Sequence, residues 1–419
     1  MTGDGPVLEQ PIAARPQSPS TSVWRVTATV RPGPRCPVCD TAQLRPFYAQ
    51  AGVPTHVGIL WPTRREAIDC PRGDLDLGYC AACGLVYNTA FDEARNTYGH
   101  SYDNALHFSA VFQDYERRLA RRLIDSYGIR DADVVEIGSG SGHFLGLVCA
   151  IGENRGVGFD PSYDPVHAGP LPDRVRVVNE YFSRDQVDTD ADLILCRHVL
   201  EHVADPAGML RSVRDGIADR AGTVLYLEVP NALLALRRLS VGDLIYEHVS
   251  YFLASSLRTV VEGAGFEILD LRECYDGQFL SVEARPAQVS EQVSPTPPEP
   301  AALADIQAFD ARARERVSTW ADLLAALADA SERTVAWGAG AKAVGFFNLL
   351  GETDAIDTVV DVNPRKQGTY LAGTGQVVVA PESLVADPPG TVLVMNPYYA
   401  NEIAQTLTEL GIDATIQTI

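Results

Sequence analysis

The chain has 419 residues, 46% of them hydrophobic and 21% charged, which suits two to four globular domains of ordinary composition. Lys and Arg number 34 against 55 Asp and Glu, a formal charge of −21. So acidic a chain, with no cationic run beyond Arg121-Arg122 or Arg237-Arg238, argues against nucleic acid and anionic membranes as partners.

No apolar stretch reaches the roughly 18 residues that a membrane-spanning helix needs. The opening Met1-Thr2-Gly3-Asp4-Gly5-Pro6 lacks a basic stretch followed by an apolar core, so no secretory signal is expected. The expected compartment is the cytoplasm, where disulfides are rare, and the eight cysteines need another role. Residues 1–34, rich in Pro, Ser, Thr and Gly, read as a disordered leader. Residues 35–100, dense in Cys, Gly and Pro, read as a small loop-rich module held by a metal. Cys36-Pro37-Val38-Cys39 and Cys80-Ala81-Ala82-Cys83 each place two thiolates on one tight turn. Together they complete a tetrahedral sulfur shell of the kind zinc favours, with no open position, so the metal is expected to be structural. Cys70 is a competing ligand, while Cys149, Cys196 and Cys274 read as ordinary buried cysteines.

Residues 101–285 alternate strands (133–137, 155–160, 192–196, 223–229) with helices (143–151, 208–217), the pattern of a parallel α/β sheet. Val134-Val135-Glu136-Ile137-Gly138-Ser139-Gly140-Ser141-Gly142 runs from a strand through a glycine turn into a helix. The glycines let the backbone approach a flat ligand. Their spacing is one residue short of the dinucleotide fingerprint, and Glu136 would repel a pyrophosphate but answer a cation. Asp160, ending the next strand, can accept both hydroxyls of a ribose. Cys196-Arg197-His198 ends the third strand and leads into His198-x-x-Glu201-His202. These features resemble the class I S-adenosylmethionine (SAM)-dependent methyltransferases. The resemblance implies that Gly138, Ser139, Gly140 and Gly142 hold the methionine part with Glu136, that Asp160 holds the ribose, and that Cys196, Arg197 and His198 face the sulfonium.

Residues 286–300, rich in proline, read as a linker, and 301–330 as a long helix. Strands at 334–337, 358–361 and 391–395 and a helix within 338–350 then make a second α/β unit. Its turn Gly338-Ala339-Gly340, with Lys342 just beyond and Arg365 and Lys366 later, suits an anion such as a phosphate. Tyr398, in Asn396-Pro397-Tyr398-Tyr399 after the last of these strands, is a candidate to line an acceptor cleft.

A methyl acceptor often needs a base. Three clusters offer one: Tyr98, His100, Tyr102 and His107; His198, Glu201 and His202; and Tyr246-Glu247-His248-Val249-Ser250-Tyr251, which follows Asn231. With these, the chain from residue 36 onward resembles the three-part C-methyltransferases of nucleotide-linked keto-deoxysugars in antibiotic pathways. The resemblance rests on the four cysteines, on Trp337-Gly338-Ala339-Gly340-Ala341-Lys342, on Asp361-Val362-Asn363-Pro364-Arg365-Lys366-Gln367-Gly368, and on Glu247-His248. It implies an α/β architecture: a zinc module, a class I methyltransferase sheet and a C-terminal Rossmann-like domain. It further implies His248 as the base beside the sugar ketone, Glu247 orienting it, and Tyr102 assisting. His198 and His202 are further candidates for acid–base roles. Asn231, Lys342, Lys366 and Tyr398 are expected near a sugar nucleotide held between the central and C-terminal domains. The family's loop reads Tyr-x-Glu-His; here Ile245-Tyr246-Glu247-His248 moves the Tyr one place, leaving Tyr246 and Tyr251 both as candidates. Two other functions stay open at this stage: O- or N-methylation of another, perhaps phosphorylated, metabolite, and binding without catalysis on the same fold. Either a monomer or a homodimer is compatible with the sequence.

Overall fold

The computed structural model describes residues 34–42, 44–183, 191–217, 220–288, 294–329, 332–351 and 355–419. The leader expected at 1–34 lies almost wholly outside the described residues, as does the middle of the proline-rich linker. Three sheets carry the chain.

The N-terminal module is more regular than its composition suggests. Strand β1 (Arg45–Pro54), helix α1 (Arg64–Ile68), β2 (Arg72–Tyr79) and β3 (Val86–Asn88) fill the space between and after the cysteine turns. Strands β1 and β2 pair antiparallel from Arg45↔Tyr79 to Pro54↔Arg72, with two register shifts along the way. Those irregularities break the period-two alternation by which a strand is recognised in sequence.

The central domain begins with α2 (Ala110–Tyr127), capped by Ser109, whose side chain accepts from the Phe112 amide. Then follow β4 (Asp133–Ile137), α3 (His143–Gly152), β5 (Arg155–Phe159), β6 (Val175–Val178), β7 (Leu193–Arg197), α4 (Pro206–Ile217) and β8 (Val224–Pro230). After α5 (Ala232–Arg238) and β9 (Ser250–Tyr251) come α6 (Ala254–Gly263) and the hairpin β10 (Phe266–Cys274)–β11 (Phe279–Pro286). The sheet order is β10-β11-β8-β7-β4-β5-β6. Strands β4 to β8 run parallel, and β11 lies antiparallel to β8. From β4 the chain goes outward to β5 and β6, then returns to the other side of β4 for β7. That reversal opens a crevice beyond the carboxyl ends of β4 and β7, where α/β sheets bind ligands.

The C-terminal domain is α7 (Pro300–Asp329) followed by a second parallel sheet. Its strands are β12 (Thr334–Trp337), β13 (Thr358–Val360), β14 (Val377–Val379), β15 (Thr391–Val394) and β16 (Thr415–Thr418), ordered β14-β13-β12-β15-β16, with helices α8 (Ala341–Leu350) and α9 (Ala400–Glu409).

The segment between β8 and α6 ties the three parts together. Strand β9 leaves the central sheet and pairs with β3 of the N-terminal module, Val86 opposite Tyr251 and Tyr87 opposite Ser250. One apolar core accordingly joins Tyr48, Leu75 and Leu77 of the module, Leu236 and Tyr246 of this segment, and Phe309, Phe346 and Phe347 of the C-terminal domain. Gly242 and Gly345 meet where the segment crosses α8; a Cβ built on Gly345 would lie 2.5 Å from the Gly242 Cα. The cysteine turns themselves pack on one face of the central sheet, with Leu227, Val229 and Phe252.

Candidate active site

The four knuckle cysteines converge. Sγ of Cys36 lies 3.6 Å from that of Cys83, and Sγ of Cys39 lies 3.6 Å from that of Cys80. Sulfurs held tetrahedrally at about 2.3 Å from a zinc ion stand roughly 3.8 Å apart, so the set fits that ion with little adjustment. Gly84 turns the second knuckle at φ 81°, its amide donating to the Cys80 carbonyl at 2.8 Å. Cys70 is buried elsewhere and takes no part in the group.

At the carboxyl end of β4 the backbone takes three positive φ angles, 71° at Gly138, 54° at Gly140 and 79° at Gly142. A Cβ on Gly138 would sit 2.1 Å from Cγ2 of Val199. Asp160 buttresses the turn: one carboxylate oxygen accepts the Gly140 amide at 2.7 Å, and the other accepts the amide and hydroxyl of Ser162 at 2.8 and 2.6 Å. Ser139 Oγ and Glu136 Oε2 are buried without a hydrogen-bond partner. Burial pushes Glu136 up to about 8, against the pull of Arg197. Two orphaned buried acceptors beside an open glycine turn fit a ligand bearing N–H or O–H donors and positive charge, which S-adenosylmethionine is.

Behind the turn lies a buried charge array. Arg197, 7% exposed, pairs with Glu116 at 3.0 Å and Glu228 at 3.1 Å, and its guanidinium sits 4.1 Å from the Phe144 ring centroid. Hydroxyls of Tyr115 and Tyr226 also donate to Glu228. Burial alone would raise Glu228, but Arg197 and His198 hold it well below the usual carboxylate range. His198 closes β7 at φ 55°, with Nε2 3.1 Å from Glu228. Its burial would lower it, yet the Glu201 and Glu228 carboxylates lift it to about 9, so it carries charge at neutral pH. Arg197 thus serves the array, while Cys196 points the other way into the apolar face with Ile137 and Leu227. The Cys196 thiol is buried, as its reading as an ordinary buried cysteine expects, so it does not itself face a sulfonium. Glu116 and the two tyrosines complete this array, and the sequence reading passed over them. Their signal was present: Glu116 interrupts the apolar stripe Phe112, Tyr115, Leu119, Leu123 on α2.

Beyond the carboxyl end of β7 a second cluster gathers. The His202 and His248 rings meet edge-on at 4.9 Å, and His248 also meets Tyr251 at 5.9 Å. His202 Nδ1 lies 2.8 Å from the Tyr98 hydroxyl and 3.0 Å from the Glu247 carbonyl. Tyr98 packs edge-on against Tyr102 at 4.9 Å. Burial and the neighbouring His202 push His248 down to about 3, so its ring is neutral. Glu201, buried beside this pair, is held below its usual range, His198 and His202 outweighing desolvation.

Several expected residues stand elsewhere. The Glu247 carboxylate turns to the N-terminal module, accepting the Val57 amide at 2.9 Å and facing Tyr102; it is not directed at His248. Tyr246 is 1% exposed, its ring lies over Gly73 and against Phe91, and its hydroxyl accepts the Asp92 amide at 2.8 Å. The one-residue shift in the loop thus sends this Tyr into the core. Asn231 is the cap of α5, accepting the Leu233 amide and donating to Gly277. Lys366 is buried, with Nζ donating to the Ala339 carbonyl at 3.0 Å and 3.9 Å from Asp361. Asp361 in turn accepts the Ala339 amide at 2.8 Å, repeating in the C-terminal domain what Asp160 does in the central one. Asn231 and Lys366 are therefore structural, because their polar atoms are spent on neighbouring backbone. Lys342 pairs with Asp243. Tyr398 accepts from Arg238 at 2.7 Å and stacks with Tyr275 at 6.4 Å, on the wall between the central and C-terminal domains.

A methyltransferase domain model matches residues 109–271, and a C-methyltransferase C-terminal domain model matches 299–415. With this sheet order, glycine turn and acid after β5, the protein is a SAM-dependent methyltransferase. The C-methyltransferase NovU of Streptomyces niveus is 29% identical over 350 residues, covering 78% of this chain and 81% of that protein. Among solved structures, the N,N-8-amino-8-demethyl-D-riboflavin dimethyltransferase RosA of Streptomyces davawensis aligns at TM-score 0.35 and 20% identity, over 42% of this chain and 56% of that one. A methyltransferase from Listeria monocytogenes aligns at TM-score 0.33 and 11% identity, over 42% of this chain and all of that one. The central domain thus matches a methyltransferase model and the C-terminal domain a C-methyltransferase model, and both lie within the stretch similar to NovU.

Proposed function

We propose that this enzyme methylates a carbon next to the ketone of a nucleotide-linked deoxysugar. The observation that carries the reading is His248: a half-buried imidazole beyond the carboxyl end of β7, its ring edge-on to those of His202 and Tyr251. A carbon acid needs such a base before its carbon can act as a nucleophile. When bound, S-adenosylmethionine supplies a methyl group activated by its sulfonium. His248 takes the proton from the carbon beside the ketone. The nearby Glu201 carboxylate opposes the positive charge this places on the ring, offsetting a basicity that burial has weakened. Tyr98, tied to His202, and its neighbour Tyr102 are the hydroxyls that would meet the ketone oxygen as charge moves onto it. Gly138, Gly140 and Asp160 hold the donor in register, and zinc at the four cysteines keeps the module that presents Tyr98 and Tyr102 in place. The nucleotide would lie between the central and C-terminal domains, where Arg238 supplies positive charge beside Tyr398.

The test is isotopic. Keto-sugar nucleotide incubated in heavy water with enzyme and S-adenosylhomocysteine should gain deuterium at the carbon beside the ketone. The His248→Ala variant should lose that exchange while S-adenosylhomocysteine still raises its melting temperature. Exchange undiminished in His248→Ala overturns the role of His248, and the absence of exchange with the unaltered enzyme overturns the substrate class.

A further inference from the structure

The cleft holds a second donor set besides the thiolates. Glu201, His202 and His248 each offer a ligand atom, and these atoms lie within 4.8 Å of one another. Glu201 is 2% exposed, and neither carboxylate oxygen has a hydrogen-bond partner. The facing His198 Nδ1 stands 3.8 Å from Oε1, beyond hydrogen-bond reach. His198 pairs with it by charge alone, so the lone pairs of both oxygens stay open to a further cation.

His202 adds an independent observation. Its Nδ1 faces the Glu247 carbonyl at 3.0 Å. A carbonyl only accepts, and the Tyr98 hydroxyl at 2.8 Å can accept as well, so the tautomer with its proton on Nδ1 satisfies both and leaves the lone pair on Nε2. A back-side bond from imidazole N–H to a carbonyl is the usual support of a metal-bound histidine, fixing both tautomer and ring direction.

We propose that Glu201, His202 and His248 form a three-ligand site for a divalent transition ion of the zinc, cobalt and nickel group, separate from the four-cysteine site. Two imidazoles and one carboxylate match the ligand preference of those ions. Ligands about 2.1 Å from a tetrahedral ion stand roughly 3.4 Å apart, so the three atoms, within 4.8 Å of one another, need draw together by about 1.4 Å at most to bind it. An ion there takes the His248 lone pair, so metal binding inhibits methyl transfer. This consequence rests on the proposed role of His248, whereas the binding does not.

The test uses the full chain with zinc in its cysteine site, titrated with Co2+. One further equivalent is expected, with the visible bands of nitrogen and oxygen ligation and without the intense thiolate-to-cobalt band. Glu201→Gln and His202→Ala should each lose that equivalent and keep the cysteine-bound zinc, which shows that the variants are folded. In the unaltered enzyme, turnover should fall with the added ion and return with a weak chelator. A single metal equivalent per chain overturns the site, as does a second equivalent that survives both substitutions. A second equivalent that leaves turnover intact upholds the site and overturns the role of His248.

Discussion

Arg197→Met isolates the buried charge array from the packing around it. Methionine keeps most of the arginine stem, so the Phe144 face stays covered and what is lost is charge. Glu116, at 3.0 Å, is left buried without this cation, and Glu228, at 3.1 Å, keeps only His198. Removing one partner of a buried pair costs about 3–5 kcal/mol, mostly the penalty of the stranded charge. The pH dependence gives a second handle. In the unaltered protein Glu228 is held well below its unfolded value, so its stabilisation is present above the unfolded pKa and fades as pH falls through the folded one. Without Arg197 the carboxyls rise and take up protons in mild acid, which relieves the penalty. The stability gap between the two proteins should therefore be widest near about pH 7 and narrow toward about pH 5. Among the described residues, Trp61, Trp320 and Trp337 all lie outside the central sheet, so their fluorescence would miss the event. Amide hydrogen exchange in β4, β7 and β8 reads it directly. A deficit under about 1 kcal/mol, or one that widens in acid, would refute the electrostatic account.

Two further outcomes are expected. Gly138→Ala places a Cβ 2.1 Å from Val199 on a backbone at φ 71°, so S-adenosylhomocysteine should no longer raise the melting temperature, while circular dichroism shows the fold retained; an undiminished thermal shift would show that the turn tolerates a side chain. Cys80→Ser should remove the bound zinc, measured by metal analysis, and should speed hydrogen exchange in β1, β2 and β3 before it does so in the C-terminal sheet; equal protection in both would show that the metal does not hold the module.

The glycine turn, its flanking strands and the cysteine pairs were legible because each is a local pattern. Spacing within ten residues fixes the turn at Gly138–Gly142, and a four-residue knuckle fixes each half of the zinc shell. The α/β alternation likewise placed β4, β5, β7, β8, β12 and β15 within a residue or two. What escaped was decided at a distance. The destination of the Tyr246 ring depends on a pocket made by Gly73 and Phe91, far away in sequence, and that of the Glu247 carboxylate on the amide of Val57. Lys366 looks like a phosphate ligand until Asp361 and the Ala339 carbonyl are seen beside it. Short pairings such as β9 with β3 carry two residues of pattern, too few to register as a strand.

That pairing limits how the enzyme can be recombined. Acceptor preference in such a modular chain invites exchange of whole domains between relatives, with seams cut at the linkers. Yet the residues from Asn231 to Leu253, which carry His248, are laced into the N-terminal module by the β9–β3 ladder, by the Val249 carbonyl accepting from Asn88, and by Glu247 accepting from Val57. A chimera that takes its central domain from one parent and its zinc module from another would splice this loop onto an edge it was not selected to match. The exchangeable unit is discontinuous: the N-terminal module together with the β8–α6 segment, grafted as one piece.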